Sequence, residues 1–213
     1  PLLRRQRRRL HALQRLLQLG PFVSVDREPL ARPRHPRRED QDALVAQHYF
    51  IYDALEGVAP TFADDPIATP FLSEQLSRMP ALEADLAFLI GPDWKERIAP
   101  LPTTERYVAR IAAEGWAGGF VAHHYTRYLG DLSGGQAIGR LMQRHFGFET
   151  NGIGFYIFDQ IANPKEFKEA YREQLDAAPW DEAEQERVID EVLRAYEFNT
   201  KLFEDLSRAK AAA

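Results

Sequence analysis

The chain of 213 residues contains no cysteine. That absence excludes disulfides, and it excludes zinc sites, iron–sulfur clusters and prosthetic groups held through cysteine sulfur. No run of apolar residues approaches the ~18 that a membrane span needs, and the first residues lack the apolar core and cleavage site of a signal peptide. We therefore expect a cytoplasmic protein with no membrane anchor, whose length suits one domain with a sizeable core.

Lysine is missing from residues 1–38, which carry eleven arginines and two acidic residues, a net charge of +9, against −14 for the remaining residues. A basic arm is one sign of nucleic-acid or anionic-surface binding. This arm has no aromatic interleaving beyond Phe22, and no recognised nucleic-acid module follows it. We therefore expect no nucleic-acid partner. Its alternating prolines and arginines predict a loosely structured segment.

From Asp42 onward the apolar residues recur with helical spacing. After a first helix that ends before Gly57 to Pro60, the pattern and its Gly/Pro breaks predict further helices at 71–76, 80–89, 103–114, 118–146, 164–175 and 181–209. Only 152–156 has strand character, and it is too short to build a sheet. The predicted fold is an all-α, single-domain helical bundle.

Three glycines interrupt the long predicted central helix, where each costs about 1 kcal/mol relative to alanine. Gly130 and Gly134 are four residues apart and therefore share one face, which lets something flat and large approach the backbone, and Gly134-Gly135 permits a kink. Asp131 lies beside this bare strip with Arg127 one turn earlier, a position suited to ordering water. The glycines by themselves favour close helix–helix packing instead.

A pair of cations, Lys168 and Arg172, is spaced i, i+4 on one predicted helix face. Two cations so placed can bind two carboxylates of a ligand. The alternative is a solvated charged face, because Glu169 and Glu173 are neighbours in the sequence.

The string LGDLSGGQ at 129–136, together with its flanking residues 122–128, resembles the distal-helix signature of heme oxygenases. Further segments similar to that family follow in family order, at 49–56, 85–94, 167–172 and 198–203. The resemblance covers about residues 43–206. We therefore divide the chain into an atypical Arg/Pro-rich segment, 1–42, and a heme oxygenase domain, 43–213.

The resemblance implies a bundle in which heme lies between a proximal helix that carries a histidine ligand and a kinked distal helix. Heme b would be substrate and cofactor, O2 the oxidant, and a ferredoxin or flavoprotein reductase the external electron donor. The products would be biliverdin, CO and ferrous iron. We expect a monomer.

The resemblance also implies individual roles. Asp131 would order the water that delivers protons, with Tyr52 and Arg127 in the same network and the backbone at Gly130 and Gly134 crowding the oxygen site. Heme contacts would come from six residues: Tyr125 with Lys168 and Arg172 at the propionates, and Gly135, Asn199 and Phe203 elsewhere in the pocket.

The proximal ligand is where the sequence departs from the family. Counting back from Tyr52 places the expected histidine near Leu19, and the family's pattern is absent there. His11 is the best substitute as the metal ligand, although its spacing to Tyr52 is too long. The lysine-free beginning also resembles a GC-rich coding sequence read out of frame up to about residue 42, which resequencing of the gene would test.

One other function is compatible with the sequence, and a second is not. A heme-binding or heme-storage protein without turnover would explain a missing proximal ligand. A di-iron carboxylate bundle requires Glu-x-x-His pairs on facing helices. No histidine here has a glutamate three residues before it, so this function is disfavoured. The sequence therefore favours heme cleavage first and heme storage second.

Overall fold

The computed structural model describes residues 38–212, and within them it is helical without a β-strand. The eight α-helices are α1 (Arg38–Val58), α2 (Met79–Leu89), α3 (Trp94–Arg97), α4 (Pro102–Ala112), α5 (Ala117–His124), α6 (Gln136–Phe146), α7 (Pro164–Ala177) and α8 (Glu182–Ala212). Short 3-10 helices form at Ala59–Phe62, Thr69–Phe71, Glu74–Leu76 and Gly154–Tyr156. The predicted all-α single domain is confirmed.

The central helix is continuous from 117 to 146, and we call it the distal helix. Two π-helical segments, Tyr125–Leu129 and Asp131–Gly135, separate α5 from α6 within it. A π segment widens the helical turn and often marks a functional site. The distal helix ends at Gly147, whose φ of 69° is the left-handed conformation that glycine adopts readily, and whose N–H donates to the Gln143 carbonyl.

One local prediction is wrong, and the stretch with strand character forms no strand. Residues 71–76 form parts of two 3-10 turns instead of one helix, because the backbone is extended at Leu72 and Ser73. Residues 152–156 are a turn and a 3-10 helix, because their N–H groups donate to a side chain instead of a neighbouring strand.

Helix α1 begins at Arg38, inside the predicted N-terminal segment. Gln41 is 1% exposed, and its side-chain amide donates to the Gly152 carbonyl at 3.2 Å. Gln41 therefore belongs to the packed bundle, although it lies within the predicted N-terminal segment. The division of the chain at residue 42 stays a prediction.

Helix α1 lies at the centre of the bundle, packed against α2 and α4, while α4 and α5 pack against α8. The largest fully buried side chains come from α1, α2, α4, the distal helix and the loop after it, and include Ile51, Tyr52, Leu55, Leu82, Leu86, Tyr107, Ile111, Phe120, Leu129 and Phe155. Burying each such side chain stabilises the fold by about 1.5–3 kcal/mol. No helix within residues 38–212 is long and apolar enough to cross a bilayer.

One buried carboxylate fixes the loop that follows the distal helix. Asp85 on α2 is 1% exposed and accepts backbone N–H bonds from Gly152 at 2.8 Å, Gly154 at 3.0 Å and Phe155 at 2.8 Å. Burial raises the pKa of Asp85, and the three N–H donors partly offset that rise. The carboxylate thereby fixes the loop whose Tyr156 packs against Gly135 and Gly139 of the distal helix.

We predict that Asp85→Ala destabilises the protein by about 3 kcal/mol, because three buried N–H groups lose their acceptor. Asp85→Asn retains one acceptor oxygen and should cost less. Urea denaturation followed by circular dichroism measures both variants. Equal stability of Asp85→Ala and the parent would contradict the assignment of this carboxylate as a structural anchor.

Candidate functional site

Asp131 sits where α1 meets the distal helix. The Tyr52 hydroxyl of α1 donates a short hydrogen bond to Asp131 Oδ2. Arg127 Nη2 lies 3.7 Å from the same oxygen, one turn earlier on the distal helix. Tyr52 is fully buried, whereas the Asp131 side chain is 14% exposed. The carboxylate is therefore held by two groups while part of it stays open.

The charge state of Asp131 reflects a balance. Burial raises the pKa of the Asp131 carboxyl, and Arg127, the Tyr52 hydrogen bond and Arg78 each lower it without cancelling the rise. A carboxyl with a raised pKa can exchange a proton closer to neutral pH than an exposed aspartate can. The geometry is that of a group able to hold and release a proton next to its partners.

Arg127 is 6% exposed and links two helices. Its Nη1 donates to Asn199 Oδ1 of α8 at 2.8 Å, and its guanidinium carbon lies 5.2 Å from the Tyr52 ring centre. Its Nε and Nη2 are buried and make no hydrogen bond to the described residues. Of these two, Nη2 is the nitrogen that faces Asp131 Oδ2 at 3.7 Å, whereas Nε stays able to donate to water or to a ligand atom.

The glycines of the motif differ in the space around them. A Cβ added to Gly130 would meet nothing within 4 Å among the described residues, so this position borders open space. A Cβ on Gly135 would lie 3.1 Å from the Tyr156 ring, and one on Gly139 would lie 3.2 Å from the Tyr156 Cβ. Close packing thus explains Gly135 and Gly139, whereas Gly130 leaves room for a ligand. Gly134 is half-buried on the same helix.

The predicted cation pair lies on α7, opposite the distal helix. Asn163 caps the beginning of α7 by accepting from the Lys165 and Glu166 N–H groups. Lys168 Nζ lies 3.3 Å from Ser133 Oγ of the distal helix, and burial together with the Arg172 charge lowers the Lys168 pKa.

Arg172 lies near Tyr125, whose pKa rises to about 12 through burial despite the Arg172 charge. Arg172 Nε is buried without a hydrogen-bond partner among the described residues. The structure thus brings Lys168, Arg172 and Tyr125 to one side of the motif, with donors available to an anionic ligand. Phe203, one turn beyond Asn199 on α8, remains 37% exposed.

His11 and His35 lie outside the described residues. Two of the described histidines are packing residues, His48 and His124. His48 stacks on Phe155 with ring centres 4.8 Å apart, and burial lowers its pKa. His124 Nδ1 lies 2.8 Å from the Tyr171 hydroxyl, and burial lowers the His124 pKa to about 3. His123 belongs to an ion-pair cluster.

Sequence reasoning missed a polar network behind Tyr52. Glu56 accepts from Tyr128 Oη at 3.2 Å, from Ser77 Oγ at 2.8 Å and from the Arg78 N–H at 2.5 Å. The guanidinium of Arg78, 4% exposed as a residue, donates to the Ile157 carbonyl at 2.7 Å, and its charge lowers the Asp131 pKa. Nothing local in the sequence marks Arg78 as a buried arginine.

A second cluster that the sequence did not reveal surrounds Glu191 of α8. Arg110 of α4 donates to both Glu191 oxygens, Nε at 2.9 Å and Nη2 at 2.6 Å, and His123 Nε2 lies 3.1 Å from Oε1. Glu114 completes a group of three residues with metal-ligating side chains. Because Arg110 donates to both Glu191 oxygens, the dominant interaction in this cluster is a buried arginine–glutamate ion pair.

Residues 36–205 match the family model for heme oxygenase. The chain belongs to the heme oxygenase family. It is 40% identical over 174 residues to heme oxygenase 1 of Pongo abelii, covering 79% of this chain and 60% of that protein. It is 37% identical over 165 residues to heme oxygenase 1 of Synechocystis sp., covering 76% and 69%. The chain thus spans about three fifths of the length of the vertebrate relative.

Solved structures of the heme oxygenase family share the fold. Heme oxygenase-1 of Synechocystis sp. in complex with heme superposes with a TM-score of 0.76 at 34% identity, covering 84% of this chain and 83% of that one. Heme oxygenase-2 of Synechocystis sp. in complex with heme and NO gives a TM-score of 0.78 at 36% identity, covering 83% and 75%. Both relatives are heme complexes.

We predict that the Glu191 cluster makes stability depend on pH. Burial raises the Glu191 pKa, but His123 and Arg110 outweigh it and bring the pKa from 4.5 to about 2. Because the folded pKa is depressed, the stabilisation is present above pH 4.5 and is lost as pH falls towards about 2. The stability difference between the parent and Glu191→Gln should therefore shrink as the pH of urea denaturation is lowered from 7 to 3. A difference independent of pH would contradict an ionised Glu191.

Proposed function

We propose that this protein is a heme oxygenase that cleaves heme with O2 and an external reductant to biliverdin, CO and ferrous iron. The observation that carries the proposal is the Asp131 carboxyl, held by Tyr52 and Arg127 beside the open face at Gly130. Membership of the heme oxygenase family and the heme complexes of its relatives support it. A ferredoxin or flavoprotein reductase is the proposed electron donor.

The described residues suit the distal half of a heme site. The bare backbone at Gly130 leaves space for a flat ring, and Lys168, Arg172 and Tyr125 offer donors to two propionates. Phe203 is the apolar side chain we assign to the rim of the pocket. When bound, heme supplies the iron that binds and activates O2, while its own ring is the substrate.

Asp131 is the residue we assign to proton delivery. Tyr52 donates to Oδ2 and so fixes the carboxyl orientation, while partial exposure lets water reach the group. Burial raises the Asp131 pKa and so favours its holding a proton, and Arg127 opposes that effect. Arg127 Nε, which makes no hydrogen bond to the described residues, can orient the water that carries the proton.

The test of this function is Asp131→Ala, with exposed Asp159→Ala as the control. We expect heme affinity near that of the parent and biliverdin formation lower by about a hundredfold or more, because a positioned proton donor contributes about that much. Absorbance spectra during reduction in air measure both. Biliverdin yield equal to the parent's would rule out the role of Asp131. Heme binding without biliverdin in the parent would favour the storage function.

The cation pair generates a separate prediction. Replacing Lys168 and Arg172 together with methionine should raise the Kd for heme about tenfold or more, because two charge-assisted contacts with propionates are lost. Lys165→Met on the same helix is the matched control, since Lys165 is 83% exposed and pairs with Glu169. Heme titration measures the affinities. An unchanged Kd for the double variant would exclude the propionate contact.

A further inference from the structure

Helix α8 and the distal helix are joined by two polar contacts. His123 Nε2 lies 3.1 Å from Glu191 Oε1 without hydrogen-bond geometry, and Arg127 donates to Asn199 at 2.8 Å. His123 and Arg127 are separated by about 6 Å of helix, whereas Glu191 and Asn199 are separated by about 12 Å, at ~1.5 Å per residue. The long Arg127 side chain spans the difference. Its position therefore depends on how the two helices are aligned along their lengths.

Glu191 is the residue best placed to fix that alignment. Its side chain is 5% exposed, and it contacts the guanidinium of Arg110 on α4 and the imidazole of His123 on the distal helix. A bidentate arginine–carboxylate pair fixes direction as well as distance. One carboxylate thus joins three helices, and Arg194 Nε of its own helix lies 3.9 Å away on the exposed side.

The contact that depends on this alignment is a loose one. Arg127 Nη2 lies 3.7 Å from Asp131, beyond hydrogen-bond distance, and Nη2 makes no hydrogen bond to the described residues. Only the Asn199 contact ties the guanidinium to α8. A small shift of α8 along the distal helix would therefore move Arg127 relative to Asp131.

We propose that Glu191 is a positioning residue: its contacts with Arg110 and His123 fix α8 against the distal helix and so hold Arg127 beside Asp131. The proposal rests on the proposed role of Asp131 in heme cleavage. The contact itself can be tested in the protein without heme.

The pKa of Asp131 distinguishes positioning from a direct charge effect. Removing the Glu191 anion would by itself lower the pKa of a neighbouring carboxyl, because like charges raise it. Moving Arg127 away would raise the Asp131 pKa. Among the groups that lower this pKa, Arg127 has the largest effect, followed by Tyr52 and Arg78. The two effects have opposite signs, so positioning predicts an upward shift.

The experiment is a pH titration of the Asp131 carboxyl by ¹³C NMR in the heme-free protein, with the signal assigned through Asp131→Asn. We expect Glu191→Gln to raise the Asp131 pKa and Glu191→Asp, which keeps the charge, to shift it less. Glu186→Gln, an exposed acid on the same helix, is the matched control and should leave it unchanged. An unchanged or lowered Asp131 pKa in folded Glu191→Gln overturns the proposal.

Arg110→Lys provides a second variant in case Glu191→Gln fails to fold. The Arg110 side chain is 40% exposed, and lysine keeps the charge while removing the two-pronged contact, so an upward shift again reports lost alignment. No shift in folded Arg110→Lys contradicts the proposal. If Asp131→Ala leaves biliverdin formation intact, the proposed function of Asp131 fails, whereas the NMR result on Glu191 is unaffected.

Discussion

A carboxyl buried between two helices constrains much of this fold, because removing a carboxylate from water is costly unless polar groups meet it. Asp131 is such a group, and the surrounding elements supply what it needs. Helix α1 contributes the Tyr52 hydroxyl, the distal helix contributes Arg127, and the buried Arg78 adds positive charge from a loop. Each of these partners must in turn be held in place by its own contacts. The position of Asp131 therefore depends on packing in several helices.

The distal helix is held from both sides by polar contacts. On the α1 side the pairs are Tyr52–Asp131 and Glu56–Tyr128, and on the α8 side they are Arg127–Asn199 and His123–Glu191. Three of these four contacts come from the two π segments themselves, through Arg127, Tyr128 and Asp131. The irregular part of the helix is thus fixed by side-chain contacts, while a Cβ at Gly130 would still meet open space. That combination is what the proposed heme site requires.

How much of the site the sequence could predict depends on how local the signal is. Asp131, Arg127 and Gly130 lie within one helical turn of each other, so helical spacing and a specific motif sufficed to group them. The pair Lys168 and Arg172 was predictable for the same reason. Sequence reasoning alone could not assign Gly130 and Gly135 separate roles, because whether a glycine faces open space or Tyr156 depends on residues distant in sequence.

The sequence by itself determined the helical class, the extent of the distal helix and the family, because periodicity, glycine punctuation and motif strings are properties of neighbouring residues. Only the tertiary structure decided that Arg78 is buried, that Glu56 accepts from Tyr128, and that Glu191 meets Arg110 and His123 across three helices. From the sequence alone, a charged residue in an amphipathic helix is expected to be exposed to solvent. Their burial and pairing follow from the packing angles and registers of whole helices, which no short stretch of sequence encodes.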